Sequence, residues 1–228
     1  MSYPVLILGE SGTGKTTSLR NLNPEHCVLI QSVKKPLPFR STGWRRYNPE
    51  TKEGNVFATD KSETIVRIIN GTSRPIIIID DFQYIMANEF MRRVLDKESG
   101  NAAFAKYNEI ARSVWDIINA AAQAGDVKRV YMLSHTQSSE DGSVKIKTIG
   151  KLLDEKITIE GMFTMVMRTS VNQGEYLFST HNSGHDTVKT PLGMFADDYI
   201  PNDLAAVDDA IKDFYEIDDS VSLVNQAA

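Results

Sequence analysis

Three observations predict an α/β fold: a mostly parallel sheet flanked by helices, with an antiparallel C-terminal extension. Short apolar runs recur at residues 3–8, 26–31, 75–80 and 128–134, each too short for a core helix. Segments with helical spacing fill the gaps between them, the alternation that lays strands parallel. After residue 140 the rhythm changes to short strands on tight turns.

Taken in order, residues 3–8 (YPVLIL) read as a buried strand that ends at a glycine cluster, and residues 14–22 as the helix after it. Residues 26–31 (HCVLIQ) form the second strand, and 33–47 a loop carrying Pro36 and Pro38. Ile65, Ile68 and Ile69 give 62–70 a helical face that Gly71 closes. Residues 75–80 (PIIIID) are a third, fully buried strand. Helices are expected at 84–96 and 104–124, broken around Ser99, Gly100 and Asn101. Tyr107, Trp115 and Ile118 read as core positions of the second of these. Residues 128–134 (KRVYMLS) are the fourth strand. Beyond Asp141 and Gly142, residues 144–149 alternate like one arm of a hairpin. Residues 162–171 and 176–180 are two more strands joined at Asn172, Gln173 and Gly174. A last helix at 203–215 places Leu204, Val207, Ile211 and Phe214 on one face.

The 228 residues suffice for one domain or one domain with a small appendage. With 41% apolar and 24% charged residues the composition excludes wholesale disorder. A single cysteine, Cys27, excludes an internal disulfide and a Cys-rich zinc site, and fits a reducing, cytoplasmic setting. No basic-then-apolar leader opens the sequence, and strictly apolar runs such as 76–79 are far too short to span a bilayer, so no membrane association is expected. The net charge of -5 argues against a simple electrostatic nucleic-acid binder, but it is unevenly spread. Residues 196–228 carry a net of −8 and residues 1–195 a net of +3. The organisation expected is therefore a core at 1–195 and an acidic helix and tail at 196–228. The acidic segment either screens a nucleic-acid surface or recruits a basic partner, or it is a docked amphipathic helix with a solvated acidic face.

Gly9, Glu10, Ser11, Gly12, Thr13, Gly14, Lys15 and Thr16 match G-x-x-x-x-G-K-[ST] between a buried strand and a helix. The glycines let the loop curl so that backbone N–H groups and the following helix N-terminus cradle phosphates. Lys15 would reach the β- and γ-phosphates and the Thr16 hydroxyl would ligate Mg²⁺. The third strand ends in Asp80 and Asp81. Such a site needs one carboxylate there for the metal shell, assigned to Asp80, and Asp81, nearer the open edge, is the candidate to polarise an attacking water. The other use of the pair is to cap the helix that follows. The fourth strand exits through Leu133, Ser134, His135, Thr136 and Gln137, into the crevice where open α/β sheets bind ligands. Gln137 or His135 would sense a γ-phosphate or orient water there.

The ordered set GESGTGKTT, IIIIDDFQ, YMLSHTQ, TIGKLLDEKITIEGMFTMV and VKTPLGMF resembles a family. It is similar to phage-encoded, core-only RecA-like ATPases, the phage nucleotide-binding protein group, whose Sak branch is linked to single-strand annealing and recombination. The likeness runs over residues 3–195. It implies a RecA-like P-loop NTPase fold, with ATP on the loop from Gly9 through Thr16 and Thr17, and Mg²⁺ near Thr16 and Asp80. It makes Gln137 look like the γ-phosphate sensor, and Lys189 like a lysine reaching a neighbour's ATP across a subunit interface. It further implies assembly into a ring or filament, with a single-strand DNA-binding protein as a possible companion. One departure stands out. RecA-type enzymes keep a catalytic glutamate after the second strand, where this sequence has Gln31, Ser32, Val33 and Lys34. Either Asp81 substitutes or hydrolysis is weak. The separate N-terminal DNA-binding domain of full-length recombinases finds no room before Tyr3.

Lys34, Lys35, Arg40, Arg45 and Arg46 crowd into 33–47 with no acidic residue among them, interleaved with Phe39, Trp44 and Tyr47. Basic groups beside stacking aromatics suit single-stranded DNA. The same loop also reads as a solvated basic segment whose aromatics pack on the core, or as one that touches the nucleotide of its own or a neighbouring subunit. Lys145, Lys147 and Lys151 form a second basic cluster on the hairpin, either DNA-facing or an ordinary charged face. Three functions fit: an oligomeric ATPase acting on single-stranded DNA, a small-molecule or nucleotide kinase, and a nucleotide-gated assembly switch that hydrolyses little. A kinase of this type usually needs an arginine-rich lid, and none is evident in the sequence.

Overall fold

The computed structural model describes residues 1–95, 101–139, 142–150, 154 and 157–219, with the side chains of 101–104 outside the description. Its strands are β1 (Tyr3–Gly9), β2 (Cys27–Gln31), β3 (Val56–Ala58), β4 (Ile76–Asp80), β5 (Arg129–Ser138), β6 (Val144–Ile146), β7 (Met165–Asn172), β8 (Glu175–Ser179) and β9 (Tyr199–Pro201). They join one sheet in the order β3-β2-β4-β5-β1-β7-β8-β9, with β6 paired to the end of β5. The strands from β3 to β7 in that order run parallel, while β6, β8 and β9 pair antiparallel with their neighbours. This is the α/β class predicted, with one refinement. The late strands divide: β7 joins the parallel sheet beside β1, while β6, β8 and β9 supply the antiparallel pairings. Gln173 and Gly174 turn β7 into β8, both at positive φ, as a two-residue turn of the primed kind requires.

Alternation along the strands divides the core in two. Leu6, Leu8, Ile77, Ile79, Val130 and Met132 face α1 (Ser62–Gly71), α2 (Gln83–Arg92) and α3 (Asn101–Ala122). Val5, Ile7, Ile76, Ile78, Tyr131 and Leu133 face the other way, onto Leu19, Leu22 and α4 (Leu204–Phe214). Leu204, Val207 and Ile211 of α4 are fully buried there, and Asp203 caps the helix by accepting from the Ala205 N–H at 3.0 Å. The acidic C-terminal region thus supplies β9 and one wall of the core before its last described residue, 219.

Several expected elements differ in detail. The helix expected at 14–22 is a short 3-10 helix, Thr16–Asn21. The stripe that α3 buries is Ile110, Val114, Ile117, Ile118 and Ala121, and Trp115 lies off it, 41% exposed. Phe214 is likewise exposed at the end of α4, its ring edge-on to Tyr215. Strands β3 and β9, three residues each, carry too little pattern to be read in advance. The expected break at 99–101 begins outside the described residues, as does Lys151. No helix among the described residues is long and apolar enough to cross a membrane.

Candidate functional site

Register brings the chemistry to one edge. Gly9 pairs with His135, Gln31 with Asp80, and Ile79 with Met132, so β1, β2, β4 and β5 deliver their last polar residues together at the carboxyl edge. The chain leaves β1 for β2, returns through β4 and β5, and then crosses to β7 on the far side of β1, which opens a crevice at that edge.

The loop after β1 is held tightly from below. A Cβ on Gly9 would lie 1.9 Å from the Thr169 hydroxyl of β7, so only glycine fits. Thr169 Oγ1 in turn lies 2.6 Å from Thr13 Oγ1, and Thr13 donates to the Glu10 carbonyl at 2.8 Å. Lys15 curls back, its Nζ donating to the carbonyls of Gly9 and Glu10 at 2.8 Å each. Burial lowers the pKa of this amine to about 8, although Asp81 and Asp80 nearby oppose the shift. Thr16 Oγ1 donates to Asp80 Oδ1 at 3.0 Å and lies 3.2 Å from Oδ2, so the two expected metal ligands already touch. Burial, reinforced by the negative charge of Asp81, raises the Asp80 carboxyl to about 6.

A buried amine short of counter-charge and a buried carboxylate short of a cation fit a polyphosphate and its Mg²⁺. Lys15 and the loop would hold the phosphates. Thr16 and Asp80 would hold Mg²⁺, with phosphate and water completing its shell.

Neither carboxylate is spent as a helix cap, because α2 starts from Phe82 with no side-chain cap bond. Asp81 adopts a left-handed φ of 60°, an uncommon conformation for a residue with a Cβ and one that concentrates at functional sites. Its carboxylate bonds to the Lys35 ammonium and lies 3.7 Å from His135 Nε2. Burial alone would raise its pKa, but His135 and Lys35 outweigh burial and hold it below the usual carboxylate range. Lys35 also stands 4.0 Å from Asp80. Burial pulls its ammonium down, and the bond to Asp81 with the charge of Asp80 more than restores it.

Lys35 was expected beside DNA, and the structure places it among the nucleotide-site carboxylates instead. The cause is local. Gln31, in the stretch where RecA-type enzymes keep glutamate, donates its amide to the Lys35 carbonyl at 3.1 Å and folds the loop back over the edge. The Lys35 contact with Asp81 is a specific case of the loop-to-nucleotide contact that the basic stretch also allows.

The remaining predicted residues separate. His135 faces Asp81, its backbone N–H fixed by the Gln83 side-chain oxygen at 3.1 Å, and Tyr84 lies edge-on to its ring. Gln137 stands two residues further out, opposite Lys145 in the β5–β6 hairpin, and its amide donates to Asp154 at 3.3 Å. Lys145 pairs with the same Asp154 at 2.9 Å, while Lys147 is exposed. Lys189 is exposed and bridges Val166 through its backbone, well back from the loop. Trp44 does not join a stacking surface. It is 9% exposed and packed into the α4-side core, with Phe39 edge-on to it. Tyr47 stacks on Phe57 at 4.3 Å. Apolar burial wins for these rings, and the basic groups alone, Lys34, Arg40, Arg45 and Arg46, remain exposed.

The strand order, the loop and the Thr16–Asp80 pair decide the class. The fold is that of a P-loop NTPase.

No protein-family model matches the chain, and no curated protein does. Among solved structures, a KaiC-like protein from the hyperthermophilic archaeon Pyrococcus horikoshii OT3 superposes with a TM-score of 0.45 at 13% identity, over 78% of each chain. At that score and identity the likeness adds nothing to what the strand order and the loop already show.

Proposed function

We propose that this chain is a RecA-like ATPase that binds ATP with Mg²⁺, assembles with copies of itself and acts on single-stranded DNA, in the manner of the phage recombination and annealing proteins its motifs resemble. The observation that carries the nucleotide half is the convergence of Lys15, Thr16 and Asp80 on one edge, with Thr16 3.0 Å from the Asp80 carboxylate. Mg²⁺ supplies charge neutralisation when bound. Lys15 holds the β- and γ-phosphates, and Asp81, kept ionised beside His135, accepts a proton from the attacking water. The DNA half rests on the loop from Lys34 to Arg46. Its exposed Lys34, Arg40, Arg45 and Arg46 offer phosphate contacts, and its root, Lys35, sits on the nucleotide-site carboxylates. Lys147 adds a second basic group on the hairpin. Lys189 is the candidate to reach a neighbouring subunit.

A second reading, a nucleotide-gated switch with little turnover, draws on the same contact. With Lys35 bound to Asp81, the water-polarising carboxylate is occupied.

The test is ATP turnover with and without single-stranded DNA, beside a mass measurement of the assembly. DNA-stimulated turnover, a mass several times the protomer, and loss of ATP binding by about 100-fold or more in Lys15→Ala are expected. Turnover equally near zero in wild type, Lys15→Ala and Asp81→Ala, with DNA still retained, would favour the switch. No retention of single-stranded DNA at low salt, with or without ATP, would remove the DNA half.

A further inference from the structure

The sheet order gives the nucleotide a direction. Asp80, Asp81 and Lys35 lie on the β4–β5 side of the loop, so Mg²⁺ and the terminal phosphate belong there. The other side of the loop, past Gly14, faces Tyr176 of β8 and Asn202 after β9, where a ribose and base would have room to run.

On that side stands a polar group with no partner. Asn202, the residue after β9, is 3% exposed, and both its Oδ1 and its Nδ2 are buried without a hydrogen bond among the described residues. Buried amides are almost always paired, so an orphan of this kind needs an explanation. The Asn202 backbone is fully engaged. Its N–H donates to the Tyr176 carbonyl at 3.0 Å, and its carbonyl accepts from Arg20 of the 3-10 helix that follows the loop. The hydrogen bonds that place this residue therefore come from its backbone, not from its carboxamide. It lies against the loop itself, since a Cβ on Gly14 would fall 3.1 Å from Asn202 Oδ1 and 2.9 Å from Tyr176 Cδ1. Tyr176, on β8, is 50% exposed and lies beside the carboxamide at Gly14.

We propose that Asn202 and Tyr176 form the nucleobase subsite of this loop, and that it reads adenine. A carboxamide presents one acceptor beside one donor, which matches the N6 amino group and N7 of adenine and mismatches the paired O6 and N7 acceptors of guanine. The half-exposed ring of Tyr176 turns outward to admit the base and stacks on it. This inference rests on the nucleotide-binding reading above.

The test is titration of the full chain with Mg²⁺ and ATP, GTP or inorganic tripolyphosphate, for wild type, Asn202→Leu, Asn202→Ala and Tyr176→Ala. Wild type should prefer ATP over GTP. Asn202→Leu should lose about tenfold in ATP affinity and most of that preference while binding tripolyphosphate as wild type does. Removal of an unpaired buried amide should not lower the melting temperature, and Asn202→Ala provides the same reading if the leucine does not fit. Tyr176→Ala should weaken ATP and GTP alike. Equal wild-type affinity for all three ligands, or an undiminished ATP preference in both Asn202 variants, overturns the subsite and leaves the phosphate loop standing. If wild type binds none of the three, tripolyphosphate included, the nucleotide reading fails and the subsite with it.

Discussion

Two clusters of buried charge sit at opposite ends of β5, and they are built differently. At its start, Arg129 is 1% exposed and gives two bonds to Asp208, at 2.9 and 2.8 Å, and one to Asp219 at 2.8 Å. The Tyr131 hydroxyl also donates to Asp208, at 2.5 Å. Burial there would lower the guanidinium pKa, yet the bonds to Asp208 raise it on balance. At the other end Lys15 has, among the described residues, only backbone carbonyls as hydrogen-bond partners, and Asp80 has a neutral hydroxyl and a lysine 4.0 Å away. The first cluster offsets its desolvation within the fold and ties α4 and residue 219 to the sheet. The second leaves a lowered lysine and a raised carboxyl, which is affinity held for something else.

The largest effect should come from breaking the first cluster. Arg129→Met strands Asp208 and should cost about 3–5 kcal/mol in denaturant unfolding, with ATP affinity unchanged in the folded fraction. A loss below about 1 kcal/mol would mean that the two clusters do not differ in kind. Because α4 walls the core, deleting the residues after 195 would unfold the chain. Charge substitutions at exposed acids are the usable test of whether the acidic segment screens DNA.

The second cluster should show itself through pH. Asp80 binds its proton more tightly in the folded chain, about 6, than its ordinary 3.8. Its ionisation therefore removes stability as pH rises from about 4 to about 6, and Mg²⁺ should restore that stability only once the carboxylate is ionised. The rise in melting temperature on adding Mg²⁺ and ATP should be larger at pH 7.5 than at pH 5, with Asp80→Asn abolishing the difference. An equal rise at both pH values would remove Asp80 from the metal site.

The smallest effect sharpens the second cluster from within. Lys35→Ala frees Asp81 and removes a cation from the γ-phosphate side. The ratio of ATP to ADP affinity should fall about tenfold, or about 1.4 kcal/mol. An unchanged ratio would make Lys35 a tether of its loop and nothing more.

Much of this was legible in advance because the signals are local. The phosphate loop is consecutive in sequence, and Asp80 ends an unmistakably apolar strand. The four parallel strands read out as runs of β-branched and aliphatic residues, and α4 as a spaced apolar face. Lys35 does not stand out within its basic stretch, and only the fold of Gln31 against its carbonyl separates it from its neighbours. Trp115 faces outward because one residue of helical phase decides which side a ring takes, and Trp44 packs on the core, one of the two uses its loop allows. Asn202 and Tyr176 carried no signal, since neither belongs to a motif and 188 residues separate Asn202 from Gly14.

The phosphate loop, the carboxylates that end β4, the strand–helix alternation and the uneven charge are all written along the chain in order, so they can be read without knowing which residues become neighbours in space. Which charges are paired and which are left waiting, the place of Lys35 among the carboxylates, and the amide from the C-terminal region that rests on the loop all come from the folded arrangement. Pairing and burial are properties of neighbours in space, and those neighbours come from strands far apart along the chain.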